Sequence, residues 1–395
     1  MHYVIVGGGI SGLYSAYKLK KRYGDGVKID VFEKADRLGG RIHTVVRDGV
    51  YLEAGAGRIN GNHRRVLKLI NELGLTSELI TMHGKHDVYI RDGKKYDASQ
   101  IFKSLVDGMK TYSRKELRSQ TLMTLARHVL TPSQVDDLIY SFGYNSEFEV
   151  MNAYDALKSL RSDERYYLMK QGTASVVLAL EKFLMDNGVA IRLRHEVTKV
   201  HKGKLYCNIL EGANGNGKAF KFDKAIICLD RAGLQKIGID EHNVQKTLDS
   251  TVGVPFCRVY ARFPMNKDGR VWFHDLSRVT TNQSLRQIIP INMDKGIAMA
   301  SYSDGTWALN WGKMSSTELE KELLRSLRGM FPSRDIPDPV WVERFYWENG
   351  VHFPMVHYVP LKQNGGDIII CGEAFVNENN GWIEGALLSV DKVVP

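Results

Sequence analysis

Cysteine is scarce in this chain: there are four in 395 residues. Cys207, Cys228, Cys257 and Cys371 are spaced too widely for a CxxC pair or a zinc knuckle, so reduced thiols in a cytosol-like compartment are expected. No apolar run approaches the ~20 residues that a bilayer crossing needs. A strand that begins at residue 3 leaves no room ahead of it for a leader peptide. The expectation is a soluble, cytoplasmic protein with no membrane partner. Acidic residues are outnumbered, 45 against 54 basic, but the charges scatter over helical stretches such as 18–22 and 318–328. That pattern is a solvated surface, so no nucleic-acid partner is expected. His83 and His86 in "HGKH" lack a third ligand, and no metal site is expected. Low-complexity tracts and repeats are missing too, and the length suits two domains, each with its own core.

What is present begins at residue 4 with "VIVGGGISGLYSAYKLK". A short apolar strand runs into Gly7, Gly9 and Gly12 at G-x-G-x-x-G spacing, and a helix follows with Ser11 in its first turn. The first glycine permits the tight turn, the second admits a pyrophosphate to the backbone, and the third lets helix and strand pack closely. The N–H groups and positive dipole end of that helix suit phosphates. A second strand over 28–32 ends at Glu33, placed to accept hydrogen bonds from an adenosine ribose and to repel a 2′-phosphate. This much indicates a dinucleotide and leaves open which one. The next run, "FEKADRLGGRIHT", adds Arg37, two adjacent glycines and Arg41, a bare backbone with a second charge for a diphosphate.

The E-x-x-x-R-x-G-G-R spelling resembles the flavin-containing amine oxidases, the family of monoamine, polyamine and L-amino-acid oxidases. The chain's end carries the same resemblance. "CGEAFVNENNGWIEGALL" has the form of that family's last motif, a strand ending in Gly-Glu, then Gly-Trp-x-x-Gly-Ala at the start of a helix. The resemblance implies an α/β fold with a discontinuous Rossmann-like FAD-binding domain over 1–60, 170–250 and 362–395. A substrate-binding domain with a mixed sheet would occupy 61–169 and 251–361, with 84–160 largely helical. It implies that Gly7, Gly9, Ser11, Gly12, Glu33, Arg37, Gly40, Arg41, Ala56, Gly57, Arg58, Val197, Gly372, Glu373, Trp382 and Ile383 hold FAD. Val197 would meet the adenine through its backbone, and Glu373 the ribityl chain. The helix starting near Trp382 and Ile383 would favour the negative charge of a reduced flavin.

Patterning along the chain predicts a hairpin turning at Asp48-Gly49, helices over 61–81, 113–160 and 171–184, two strands in 189–209, a buried strand in 222–230, and a run of strands from about Val254. Thr131, followed by Pro132, is a predicted helix cap.

Within the resemblance, Arg58 matches the arginine with which L-amino-acid oxidases pair the substrate carboxylate, a task for which a planar guanidinium suits two parallel hydrogen bonds. Trp382 and His352 match the two walls of an aromatic cage beside the flavin. Arg258 stands where the family carries a lysine implicated in reactivity with dioxygen (O2), so the matching chemistry is either an oxidase or a dehydrogenase. A second carboxylate-binding tyrosine is missing, its nearest match falling at Ile288 and Ile289. Val351 replaces the cysteine that attaches flavin in monoamine oxidases, which implies non-covalent FAD, and the chain ends soon after the last motif without an anchoring tail. The implied reaction is oxidation of the C–N bond of an L-amino acid, giving an imine, then keto acid and ammonia, with hydrogen peroxide as coproduct. The partners would be the amine or amino acid, dioxygen and, at the level of assembly, a homodimer. Monoamine or polyamine oxidation, a flavoprotein desaturase, and a flavin-binding protein with little activity are the alternatives.

Overall fold

The computed structural model describes residues 1–82, 86–90, 94–159, 165–210, 217–239, 244–363 and 365–395. His83 and the side chain of His86 lie outside the described residues. The chain divides into two units, one made of residues 1–82, 163–252 and 358–395, the other of 83–162 and 253–357.

The first unit is organised by short, mostly apolar segments rich in β-branched residues that can be buried on both faces, as strands of a parallel sheet must be. Its five strands run in the order Ala190–Arg192, Lys28–Phe32 (β2), His2–Val6 (β1), Lys224–Ile227 and Ile368–Ile370. Every pairing in it is parallel. Helix Ile10–Tyr23 (α1) follows β1 and buries Leu13, Ala16, Tyr17 and Leu19, the stripe expected from a 3.6-residue period. These residues share a core with Ile5, Ile29, Val31, Leu180, Leu184, Leu387 and Val390, which come from all three segments of the unit. The first and last parts of the chain are therefore parts of one hydrophobic core, not neighbouring modules.

Local punctuation behaves as the residue types require. Thr44–Arg47 and Val50–Glu53 pair as a hairpin, and Asp48 and Gly49 turn it with φ of 51° and 68°. The helix expected over 61–81 is shorter, Arg64–Glu72 (α2). Gly74, at φ +73°, ends it, and the chain then reaches the strand Leu79–Thr81. Two strands were expected in 189–209 and three are found, because Arg194 at φ 55° breaks the first from the second.

The second unit holds a seven-stranded sheet, ordered Trp341–Pro354, Thr251–Arg262, Ile297–Asp304, Gln287–Asn292, Arg278–Thr281, His86–Ile90 and Lys94–Lys95. Antiparallel pairs dominate it, and Arg278–Thr281 runs parallel to His86–Ile90. Its helical portion runs from Ser99–Met109 to Ala153–Ser159. Thr131 caps Pro132–Phe142 in a capping box with Gln134.

Candidate cofactor and substrate site

Gly7 and Gly12 sit where a side chain cannot. A Cβ on Gly12 would lie 2.0 Å from the Gly7 carbonyl oxygen, and one on Gly7 would lie 2.6 Å from that of Cys228. The Cβ direction of Gly9 is different, for it meets no atom within 4 Å. Gly9 is also the residue before α1, which starts with no capping side chain and no acid in its first turn. The positive end of α1 thus faces a space bounded by bare backbone, the surroundings that a diphosphate requires. Ser11, in that first turn, is buried, and its carbonyl accepts from the Ser15 hydroxyl at 2.7 Å.

The second phosphate-side element is attached directly to the first. Gly39 N–H donates to the Gly8 carbonyl at 2.9 Å, and a Cβ on Gly40 would stand 3.3 Å from Gly9 Cα. Arg37 shapes this turn, donating to the carbonyls of Leu38 and Gly40 at 3.0 and 2.9 Å. Burial holds its guanidinium below the usual arginine range. Glu33 lies at the end of β2 and accepts the N–H groups of Gly8 at 2.7 Å and Ala35 at 2.8 Å. Those bonds fix the carboxylate beside the glycine loop, where a ribose would approach.

Arg41 connects the beginning of the chain to its end. Its guanidinium donates to Glu373 at 2.5 Å, and the other oxygen of Glu373 accepts the Gly381 N–H at 3.0 Å. Gly372 N–H donates to Ser389 Oγ at 2.6 Å, and Asn380 donates to the Glu373 carbonyl at 3.3 Å. The Gly-Glu turn is therefore tied to the closing helix, Ile383–Val393, from both sides. Ala56 N–H donates to the Arg41 carbonyl at 2.9 Å, and Gly57 follows it, buried. Val197 is 8% exposed, at a bulge in the strand His195–His201.

Beyond this cradle lies an aromatic and cationic cluster. Arg58 immediately precedes the strand Ile59–Asn60, whose residues pair with Tyr167 and Tyr166. The Arg58 guanidinium carbon is 5.7 Å from the centre of the Tyr166 ring. Tyr166 in turn stacks on Trp382 at 6.2 Å and 25°, and His63 meets Trp382 edge-on at 5.0 Å. Tyr166 and His63 were not singled out from sequence, since a tyrosine in a strand and a histidine before a helix look like ordinary core.

Glu384 was also missed. It is 3% exposed, and it accepts the N–H groups of Arg65 and Val66 at 3.0 Å each, and the Arg65 guanidinium at 3.1 Å. The α2 helix has neither a capping side chain nor an acid in its first turn, so Glu384 supplies the cap from the closing helix. Only the paired helix starts give this away.

Arg258 and His352 belong to the second unit. Arg258 is 8% exposed, with its guanidinium carbon 4.5 Å from the centre of the Tyr302 ring and Nη2 3.3 Å from the Tyr302 hydroxyl. His352 is fully buried within Trp341–Pro354. Ile288 is buried and Ile289 is partly so, in Gln287–Asn292. No group of three or more potential metal ligands occurs among the described residues, and none of their helices is long and apolar enough to cross a membrane.

A parallel sheet, a glycine loop opening a helix, a carboxylate on the next strand and a distant Gly-Glu turn joined to them define a dinucleotide-binding protein with a discontinuous cofactor domain. The chain belongs to the family of flavin-containing amine oxidoreductases, whose model matches residues 10–390, and its cofactor is FAD. It is similar to amine oxidase [flavin-containing] A of Sus scrofa, 39% identical over 94 residues, 24% of this chain and 17% of that protein. It is also similar to a coproporphyrinogen III oxidase of Mycobacterium bovis, 42% identical over 82 residues, 21% of this chain and 18% of the relative. Less than a fifth of each relative is thus matched. Among solved structures, a triple mutant of putrescine oxidase with redesigned cofactor binding shares the fold, with a TM-score of 0.77 and 16% identity over 99% of this chain and 97% of that one.

Proposed function

We propose that the protein oxidises an L-amino acid at the C–N bond, with non-covalent FAD held by the first unit. The observation that carries this reading is Arg58, a half-buried residue that follows Gly57 and whose guanidinium lies against the Tyr166 ring, which stacks on Trp382. When bound, FAD supplies the hydride acceptor for the C–H bond next to nitrogen, and an imine leaves for hydrolysis to keto acid and ammonia. The chain's own work is binding and orientation. Arg58 takes the substrate carboxylate through two parallel hydrogen bonds, and Trp382 presents an apolar wall that orients the amine and excludes water. Ile383, at the first turn of the closing helix, brings backbone N–H groups whose positive potential favours developing negative charge. Arg258 and His352 are proposed substrate-binding residues. Dioxygen is the proposed final acceptor, with hydrogen peroxide as product, and the protein is proposed to be soluble and cytoplasmic.

The test is a yellow holoprotein titrated anaerobically with L-amino acids and with the corresponding decarboxylated amines. Bleaching by amino acids is expected, and Arg58→Met should lower kcat/KM for them by about 30- to 100-fold, the worth of a charge-assisted pair of ~2–3 kcal/mol. The same change should alter turnover of the amines by less than about threefold. Bleaching by amines alone would place the activity with the monoamine and polyamine oxidases. The coproporphyrinogen III oxidase similarity favours a second reading, oxidation of a large porphyrinogen; bleaching by such a substrate, and not by amino acids, would establish it.

A further inference from the structure

We propose that Cys228 and Cys371 form a modification site, a reversible disulfide that staples two strand ends beside the glycine loop and the Gly-Glu turn. Both are free thiols. They are 143 positions apart in sequence, and the fold sets their sulfurs 3.4 Å from each other. They occupy matching places on neighbouring parallel strands. Ile227 pairs with Ile370, a cysteine follows each, and the Cys371 N–H donates to the Ile227 carbonyl at 3.0 Å. Adjacent strands run about 4.8 Å apart, inside the range of ~4.4–6.8 Å between Cα atoms that a disulfide bridges. Closing the bond asks the sulfurs to approach by roughly 1.4 Å, a movement on the scale of side-chain torsion.

Exposure decides which sulfur reacts first. Cys371 is fully buried, whereas Cys228 is half-buried at the end of its strand, so hydrogen peroxide meets Cys228. Attack of the Cys228 sulfur on one peroxide oxygen breaks the O–O bond, giving a sulfenic acid and one water, which carries off the thiol proton. The Cys371 sulfur then attacks that of Cys228, the S–O bond breaks, and the departing hydroxide takes the Cys371 proton as a second water. The two sulfurs lose two electrons in all, and the peroxide gains them. Burial and the adjoining Cys371 sulfur push the Cys228 thiol above its ordinary range, so thiolate is scarce at neutral pH and the reaction answers sustained oxidant. The peroxide can come from any source, and the inference does not rest on the amino-acid reading. Its consequence is for the cofactor. The Cys228 carbonyl is the group that a Cβ on Gly7 would meet at 2.6 Å. Cys371 leads into Gly372, and the Ser15 hydroxyl of α1 lies 3.9 Å from its sulfur. The bond therefore opposes separation of the Gly-Glu turn from the glycine loop, the opening that releases flavin.

The test is a hydrogen peroxide titration of the reduced, flavin-loaded wild type, followed by thiol alkylation in denaturant and peptide mass spectrometry. Met185, 62% exposed, is an internal dosimeter, because its sulfoxide reports the dose delivered. By the dose that converts about half of Met185, the expected product is a peptide linking Cys228 to Cys371 within one chain, reversed by dithiothreitol. Cys371→Ser should stop at a sulfenic acid on Cys228, captured by dimedone, and Cys228→Ser should leave Cys371 unoxidised. In urea below the unfolding transition, the oxidised wild type should release flavin at least about threefold more slowly than the reduced protein. Absence of the linked peptide at that dose, linkage between two chains, or sulfenic acid on Cys371 in preference to Cys228 would each overturn the proposal. Flavin release no slower after oxidation would overturn the staple.

Discussion

Replacing Glu384 by alanine should damage the protein well beyond what one residue in a terminal helix normally costs. Its carboxylate accepts two backbone N–H groups at the start of α2, both at 3.0 Å, and the guanidinium of Arg65 at 3.1 Å. The residue is 3% exposed, so water cannot simply replace the carboxylate. Loss of a helix cap costs about 1 kcal/mol, and a buried group left without its charge-assisted partner costs about 1.5–3 kcal/mol. The contributions share one carboxylate and are not additive, which gives about 3 kcal/mol for Glu384→Ala. In a unit of this size, each kcal/mol corresponds to about 2–4 °C, so the melting temperature should fall by about 6–12 °C. Glu384→Gln keeps an oxygen acceptor for the helix and should lose about half as much. Asp391→Asn is the control. Asp391 bonds Lys18 and Arg65 at 3.0 Å each, but its side chain is 30% exposed, and such pairs contribute at most about 1 kcal/mol. Differential scanning calorimetry of the holoprotein would measure all three. A Glu384→Ala variant melting within about 1 °C of wild type would refute the claim that this carboxylate carries the junction of the two helices.

Two further outcomes follow from the packing. Gly12→Ala puts a methyl group 2.0 Å from the Gly7 carbonyl oxygen, and backbone cannot move aside as a flexible side chain can. The purified variant should contain under about a tenth of the wild-type flavin, a loss worth more than ~1.4 kcal/mol, by its absorbance ratio; normal flavin content would contradict the cradle described above. Alkaline stability should also be limited by buried acids. Burial pushes the Cys257 thiol from its ordinary 9.0 up to about 12 and the Tyr358 phenol up to about 12. With folded values raised, the unfolded chain ionises first, so stability is intact below pH 9 and declines between pH 9 and 12. Melting temperatures across that range should fall continuously, and a flat profile to pH 11 would refute the assignment.

The glycine loop and the strands and helix around it were legible in sequence because their requirements are local. Gly12 is demanded by backbone clearance against Gly7, close by in sequence, and Glu33 by its place at the end of the next strand. The segment 3–6 announces a strand through β-branched, uncharged composition, and 28–32 through Ile29, Val31 and Phe32 despite Lys28 and Asp30. A terminal motif with Gly372, Glu373 and Trp382 could likewise be read, since it too is contiguous. Helix 61–81 was overextended because its apolar spacing continues past Gly74, and only the positive φ there stops it.

What the sequence determined by itself was the family and a set of candidate cofactor-binding groups. What only the tertiary structure decided was which of them meet. Arg41 reaches Glu373 at a sequence separation of 332, Glu384 caps a helix 319 positions earlier, and Tyr166 contacts both Arg58 and Trp382. Spacing in sequence carries no information about such contacts. They arise because the three segments of the first unit bury their apolar faces in one core, and that burial brings their charged and aromatic residues together.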